Sequence, residues 1–129
     1  MAKKTLNIVE CAYRASNEEQ DDTVLWLLAA MRGAGAEPTV VLRGNAVCYA
    51  LKAQDARGLE IGAWKQTQPP SIAEDVAALA GKRGVPMYVV EEDVAERGIE
   101  RHELVDGVKP VSRAGVVKMF ADHDRVFHW

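Results

Sequence analysis

Apolar and polar positions alternate with a period that switches several times along the chain. Leu6-Asn7-Ile8-Val9-Glu10-Cys11 opens as a short strand. Ser16-Asn17-Glu18-Glu19 then has the spacing of a capping box, with Ser16 as the cap and Glu19 reaching back. The helix behind it, Val24 to Met31, is apolar almost all round. That predicts burial on more than one side, with Trp26 in the core. Gly33 and Gly35 stop it, and Pro38-Thr39-Val40-Val41-Leu42 reads as the second strand.

Gly44-Asn45 turns the chain, and Ala46 to Gln54 predicts a helix. Gly58 to Pro70 is irregular. Ser71-Ile72-Ala73-Glu74 offers a second capping box, and Ile72, Val76 and Leu79 continue at helical spacing up to Gly81 and Gly84. Val85-Pro86-Met87-Tyr88-Val89-Val90 is a continuous apolar run, the pattern of a strand buried on both faces. It passes into Glu91-Glu92-Asp93, a helix start where carboxylates meet the positive dipole end, closed by Gly98. A strand at Val108-Lys109-Pro110-Val111, a helix from about Arg113 to Asp122, and a strand over Arg125-Val126-Phe127-His128-Trp129 complete the pattern.

Strands alternating with helices through short loops predict an α/β fold with a mainly parallel sheet and helices on both faces. The 129 residues suffice for one domain, 1–129, with a core that needs no staples. In such sheets reactive groups gather beyond the C-terminal ends of the strands.

Composition changes this picture mainly by exclusion. A net charge of -3 gives no electrostatic reason to expect nucleic acid, whose binders usually show a basic patch or stripe. No apolar run approaches the roughly 20 residues that cross a bilayer, and a signal peptide is not expected, since the apolar stretch after Met1-Ala2-Lys3-Lys4 is short and holds Asn7 and Glu10. Two cysteines make no disulfide framework, so a cytoplasmic protein with reduced thiols is expected.

Those thiols are the candidate reactive groups. Cys48 lies just past the second strand near a predicted helix start, where the dipole and nearby Arg43 favour a thiolate. The structural alternative is a small core hydrophobe, suggested by Ala46, Val47, Ala50 and Leu51 around it. Cys11 ends the first strand, and Tyr13 and Arg14 follow it, so a partly exposed thiol is expected; a strand-end core residue is the alternative. Glu91, Glu92 and Asp93 project about 100° apart on a helix and do not converge on one ion. His102, His123 and His128 show no metal-ligand spacing, and there is no glycine-rich phosphate loop. Neither a metal nor a cofactor is implied. Trp64, in a polar loop, and Phe127 and Trp129, in the last strand, are candidate interface residues.

Two segments carry a family resemblance. Met87-Tyr88-Val89-Val90-Glu91-Glu92-Asp93-Val94-Ala95-Glu96-Arg97-Gly98-Ile99, and Ala114 to His123 with the closing Trp129, resemble the C-terminal half of DsrH/TusB proteins of the DsrE-like superfamily. The first half, with Leu42-Arg43-Gly44-Asn45-Ala46-Val47, looks more like the DsrE/TusD side. The resemblance implies a flavodoxin-like three-layer α/β/α sandwich on a five-stranded, mainly parallel sheet. It implies sulfur trafficking, as a persulfide carrier or a relay subunit for sulfur oxidation or tRNA thiolation. It also implies assembly with itself and with other DsrE-like or sulfur-carrier proteins. Carriers on the DsrE/TusD side bear a cysteine after the third strand, and Val90 stands there in this chain. Carriage would therefore fall to Cys48 or Cys11. Two alternatives remain open: a scaffold subunit without chemistry of its own, and a small-molecule or nucleotide binder at the sheet edge.

Overall fold

Five strands form one sheet in the order β6-β5-β2-β1-β7, all pairs parallel. The computed structural model describes residues 2–13, 22–54 and 57–129. In chain order the elements are β1 (Lys4–Val9), α1 (Thr23–Gly33), β2 (Glu37–Leu42), a 3-10 run (Gly44–Ala50), β3 (Glu60–Ile61), β4 (Trp64–Lys65), α2 (Ile72–Ala80), β5 (Met87–Val90), α3 (Glu91–Glu96), β6 (Val108–Val111), α4 (Arg113–Met119) and β7 (Arg125–His128). This is the α/β sandwich that the alternation predicts. β2 holds the centre, and β1 beside it has its residues from Thr5 to Val9 buried.

Local chemistry explains most boundaries. Asp22 caps α1, its Oδ1 accepting from the N–H groups of Val24 and Leu25 at 3.0 Å each. The expected box at Ser16 and Glu19 lies outside the described residues. The second expected box does not form: Ser71 makes no side-chain cap bond at α2. β5 begins at Met87 rather than Val85, because Val85 gives its N–H to Leu79 at the end of α2.

Two corrections concern burial and helix type. α1 buries one face only, through Val24, Leu25 and Leu28, while Trp26 stands 61% exposed rather than in the core. Only the stripe facing the sheet is covered, and Trp26 turns out over a shallow groove shared with Asp75, Ala78 and Arg83. The predicted helix over 46–54 is a 3-10 run, Gly44–Ala50, and Leu51 is already extended. Tertiary bonds draw the chain out there: Val105 donates to the Ala50 carbonyl at 2.7 Å and Lys52 to that of Glu103 at 2.9 Å. Within the irregular stretch, β3 and β4 form a small antiparallel hairpin pairing Ile61 with Trp64.

The two faces of the sheet are covered unequally. On one face Val9, Val40, Leu42, Met87 and Val89 pack beneath α1, α2 and the 3-10 run. On the other, Leu6, Ile8, Val41 and Val90 meet Val116 of α4, with Tyr88, Val111 and Met119 around them. α4 can lie close because of Gly115, where a Cβ would meet Val111 Cγ2 at 2.9 Å.

Candidate functional site

The parallel strands bring their C-terminal ends to one rim. β7 flanks β1 on one side, while β2, β5 and β6 build outward on the other. The β1/β7 boundary is thus where the strand order reverses, the usual place for a crevice in an open α/β sheet. Cys11 sits just past β1 at that boundary and is exposed. Its N–H and that of Glu10 both donate to the Trp129 oxygen, at 3.2 and 2.9 Å. The Glu10 carboxylate is engaged by His128 at 2.7 Å and Arg43 at 3.8 Å. Arg43 therefore answers Glu10, and Arg14 lies outside the described residues.

Cys48 lies on the neighbouring turn, half-buried. It is the fifth residue of the seven in the 3-10 run, not a residue of a helix N-terminal turn, so the dipole argument for its thiolate is removed. Cys48 and Ala12 both pack partly against the larger core. Next to Cys48, Tyr49 is wholly buried and its hydroxyl donates to Asp22 Oδ2 at 2.5 Å. The Tyr49 hydroxyl oxygen in turn accepts the Tyr13 N–H at 2.6 Å. Burial first, and then the bond to Asp22, push the Tyr49 hydroxyl far above its ordinary value, so it stays a donor. Sequence reasoning missed Asp22 and Tyr49, since neither position interrupts a pattern.

At the end of β5, Val90 is buried and packs on the smaller core. The carboxylates beyond it diverge as their helical spacing requires. Glu91 faces solvent, Glu92 accepts the Arg113 N–H at 3.1 Å, and Asp93 turns inward. Asp93 accepts from the Gly44 N–H at 2.8 Å and from the Arg113 guanidinium, which also reaches Glu96 at 3.0 Å. Gly44 sits at φ 55°, a left-handed position that suits glycine. Burial alone would raise the Asp93 pKa. The bonds from Gly44 and Arg113, with the charges of Arg113 and Arg43, outweigh burial and lower it. Among the described residues, no group of three or more His, Cys, Asp or Glu is placed to hold a metal ion. No helix among them is long and apolar enough to cross a membrane.

The aromatic candidates separate. Trp64 is 53% exposed on the hairpin. Phe127 and Trp129 are half-buried and stacked, with centroids 5.8 Å apart. Trp129 Nε1 donates to Oδ1 of buried Asn7 at 3.3 Å, so this indole helps close the sheet. Asn7 stands between the apolar residues Leu6 and Ile8 of β1. Val126 of the apolar C-terminus is exposed, as are Val117 and Phe120 of the preceding helical segment, which the sequence reading did not single out. Elsewhere, an open cleft of about 470 Å³ lies between α3 and β6, floored by Val89, Val94, Leu104 and Val108. Neither cysteine lines it.

The DsrE/DsrF-like family profile matches residues 8–129. No curated protein matches the chain. Among solved structures, the ychN protein from E. coli aligns over 100% of both chains with a TM-score of 0.72 at 19% identity. A protein of unknown function from Methanobacterium thermoautotrophicum, MTH1491, aligns over 100% of both chains with a TM-score of 0.63 at 18% identity. At these identities the likeness is one of fold.

Proposed function

The chain belongs to the DsrE/DsrF-like family, and on that ground we propose that it traffics sulfur through a thiol at the C-terminal rim of its sheet. The observation that carries this is the exposed Cys11 at the β1/β7 boundary. Cys48 on the adjacent turn is the second thiol. The chemistry needs no external oxidant. A Cys11 thiolate attacks the terminal sulfur of a donor persulfide, R–S–SH; the new S–S bond forms as the donor bond breaks, and R–S⁻ leaves. The protein then holds Cys–S–SH, and an acceptor thiolate removes the outer sulfur by the same exchange. Reduced thiols suit a cytoplasmic setting.

A scaffold reading is favoured by one observation. Val90, at the position where carriers on the DsrE/TusD side bear cysteine, is a buried core residue. In both readings the protein works in an assembly with its own copies or with other sulfur-carrier proteins, through exposed apolar residues such as Trp64 and beside Phe127 and Trp129. Light scattering at tens of micromolar tests assembly, and a monomer mass refutes the homo-oligomer. Polysulfide treatment followed by peptide mass spectrometry tests carriage. The expected result is a gain of about 32 Da, one sulfur atom, on Cys11. No adduct on Cys11 or Cys48 in the folded protein removes carriage and leaves the scaffold.

A further inference from the structure

Tyr49 heads the fully buried side chains by size, and the sulfur chemistry above does not use it. Its hydroxyl joins three segments of the rim. It donates to Asp22 at the start of α1, accepts the N–H of Tyr13 beyond β1, and belongs to the turn that carries Cys48. Asp22 is itself buried and fixed by its two cap bonds, so this hub has little freedom.

Tyr13 is held in an unusual way. Its φ is 58°, a left-handed conformation that a non-glycine residue keeps only where its surroundings over-determine it. The N–H bond to Tyr49 fixes its backbone. Its ring stands edge-on to the Tyr49 ring, with centroids 5.0 Å apart and planes at 73°. Its hydroxyl points to Gln54 Oε1 at 3.4 Å, and the Gln54 amide is clamped to the carbonyls of Tyr49 and Leu51 at 3.0 and 2.9 Å. Backbone and ring of Tyr13 are thus both tied to the Cys48 turn. Burial first, and the charge of Cys48 second, push the Tyr13 hydroxyl up, which agrees with a phenol beside that thiol.

We propose that Tyr13 is a gate on the Cys48 thiol, latched by the Tyr49–Asp22 pair. Latched, it screens Cys48 and leaves Cys11 as the open thiol. Loss of the bond to Tyr49 frees the backbone to leave its left-handed conformation and uncovers Cys48. The gate deepens the reading of the thiols as working groups and rests on it.

The test is pulsed alkylation of the folded protein with iodoacetamide, read as the Cys48-to-Cys11 labelling ratio by peptide mass spectrometry. Y13A is expected to raise the ratio about tenfold, and Y49F several-fold, by analogy with the effect of burial on thiol access. Y13F keeps ring and N–H and should restore the wild-type ratio. Because Cys11 is already open, general destabilisation would also raise the ratio, so the labelling is repeated in low urea. A raised Cys48 rate that stays independent of urea supports the gate, and one that climbs with urea marks loosening and overturns it. A Y13A ratio within twofold of wild type overturns the gate. If Y49F fails to fold, Y13A decides alone, since the Tyr13 side chain is 45% exposed. Alkylation does not depend on sulfur transfer. Variants that change the ratio yet take no sulfur from polysulfide would sink the sulfur reading and leave the gate standing.

Discussion

The two faces of the sheet carry the same strands under very different cover. Beneath α1, α2 and the 3-10 run, the buried cluster gathers residues from Val9 to Val105. Beneath α4 it shrinks to Leu6, Ile8, Val41, Val90 and Val116. β-branched residues suit both faces, because each is a pleated surface. What differs is the cover. α4 alone links β6 at one edge to β7 at the other, and this short helix leaves Val126 partly open. The heavily covered face also carries the Cys48 turn and its Tyr49 hub. The thinly covered face supplies the exposed apolar residues Val117, Phe120 and Val126. Stability is concentrated on one side of the sheet, and open apolar surface on the other.

Removing a large side chain from the covered face is the strongest challenge to this contrast. Leu28 lies on the buried face of α1 and is fully buried. Leu28→Ala should cost about 3 kcal/mol in urea unfolding. A cost near that of a surface change would mean the covered face is not the main core.

Asp93 stitches the layers together, joining Gly44 of the covered face to Arg113 at the start of α4. Asp93→Asn should cost about 2 kcal/mol at neutral pH, as expected for a hydrogen bond to a charged group. The sign with pH follows from the lowered pKa. The contribution is fully present above the unfolded value of about 3.9 and fades as pH falls through the lower folded value. The difference in unfolding free energy between wild type and variant should therefore narrow below pH 4. A difference that widens in acid would reverse the assignment.

On the thin face the same experiment should give less. Val116→Ala removes two methyl groups from a smaller cluster and should cost about 1 kcal/mol. A loss equal to that of Leu28→Ala would erase the distinction between the faces. Smallest of all is Trp26→Ala, outside both clusters, at about 0.5 kcal/mol or less by thermal unfolding. A large loss there would restore Trp26 to the core that its helix pattern suggested.

The sequence by itself determined the order of strands and helices, the parallel sheet and the acidic start of α3. Period, β-branched runs and charge are properties of neighbouring residues and need no knowledge of the fold. It also brought Cys11 to the end of a strand, since the apolar run stops there. Only the tertiary structure decided which side chains that order buries. An apolar helix pattern does not say how wide its contact is, so Trp26 was misjudged. Good helix formers at 46–54 lost to bonds with residues 103–105, more than fifty positions away. Asp22, Tyr13 and Tyr49 share no local signal, because their meeting depends on three separate crossings of the sheet's C-terminal rim. The C-terminal aromatics looked like an exposed surface, yet Trp129 turned out to be held by Asn7, a polar residue buried in β1.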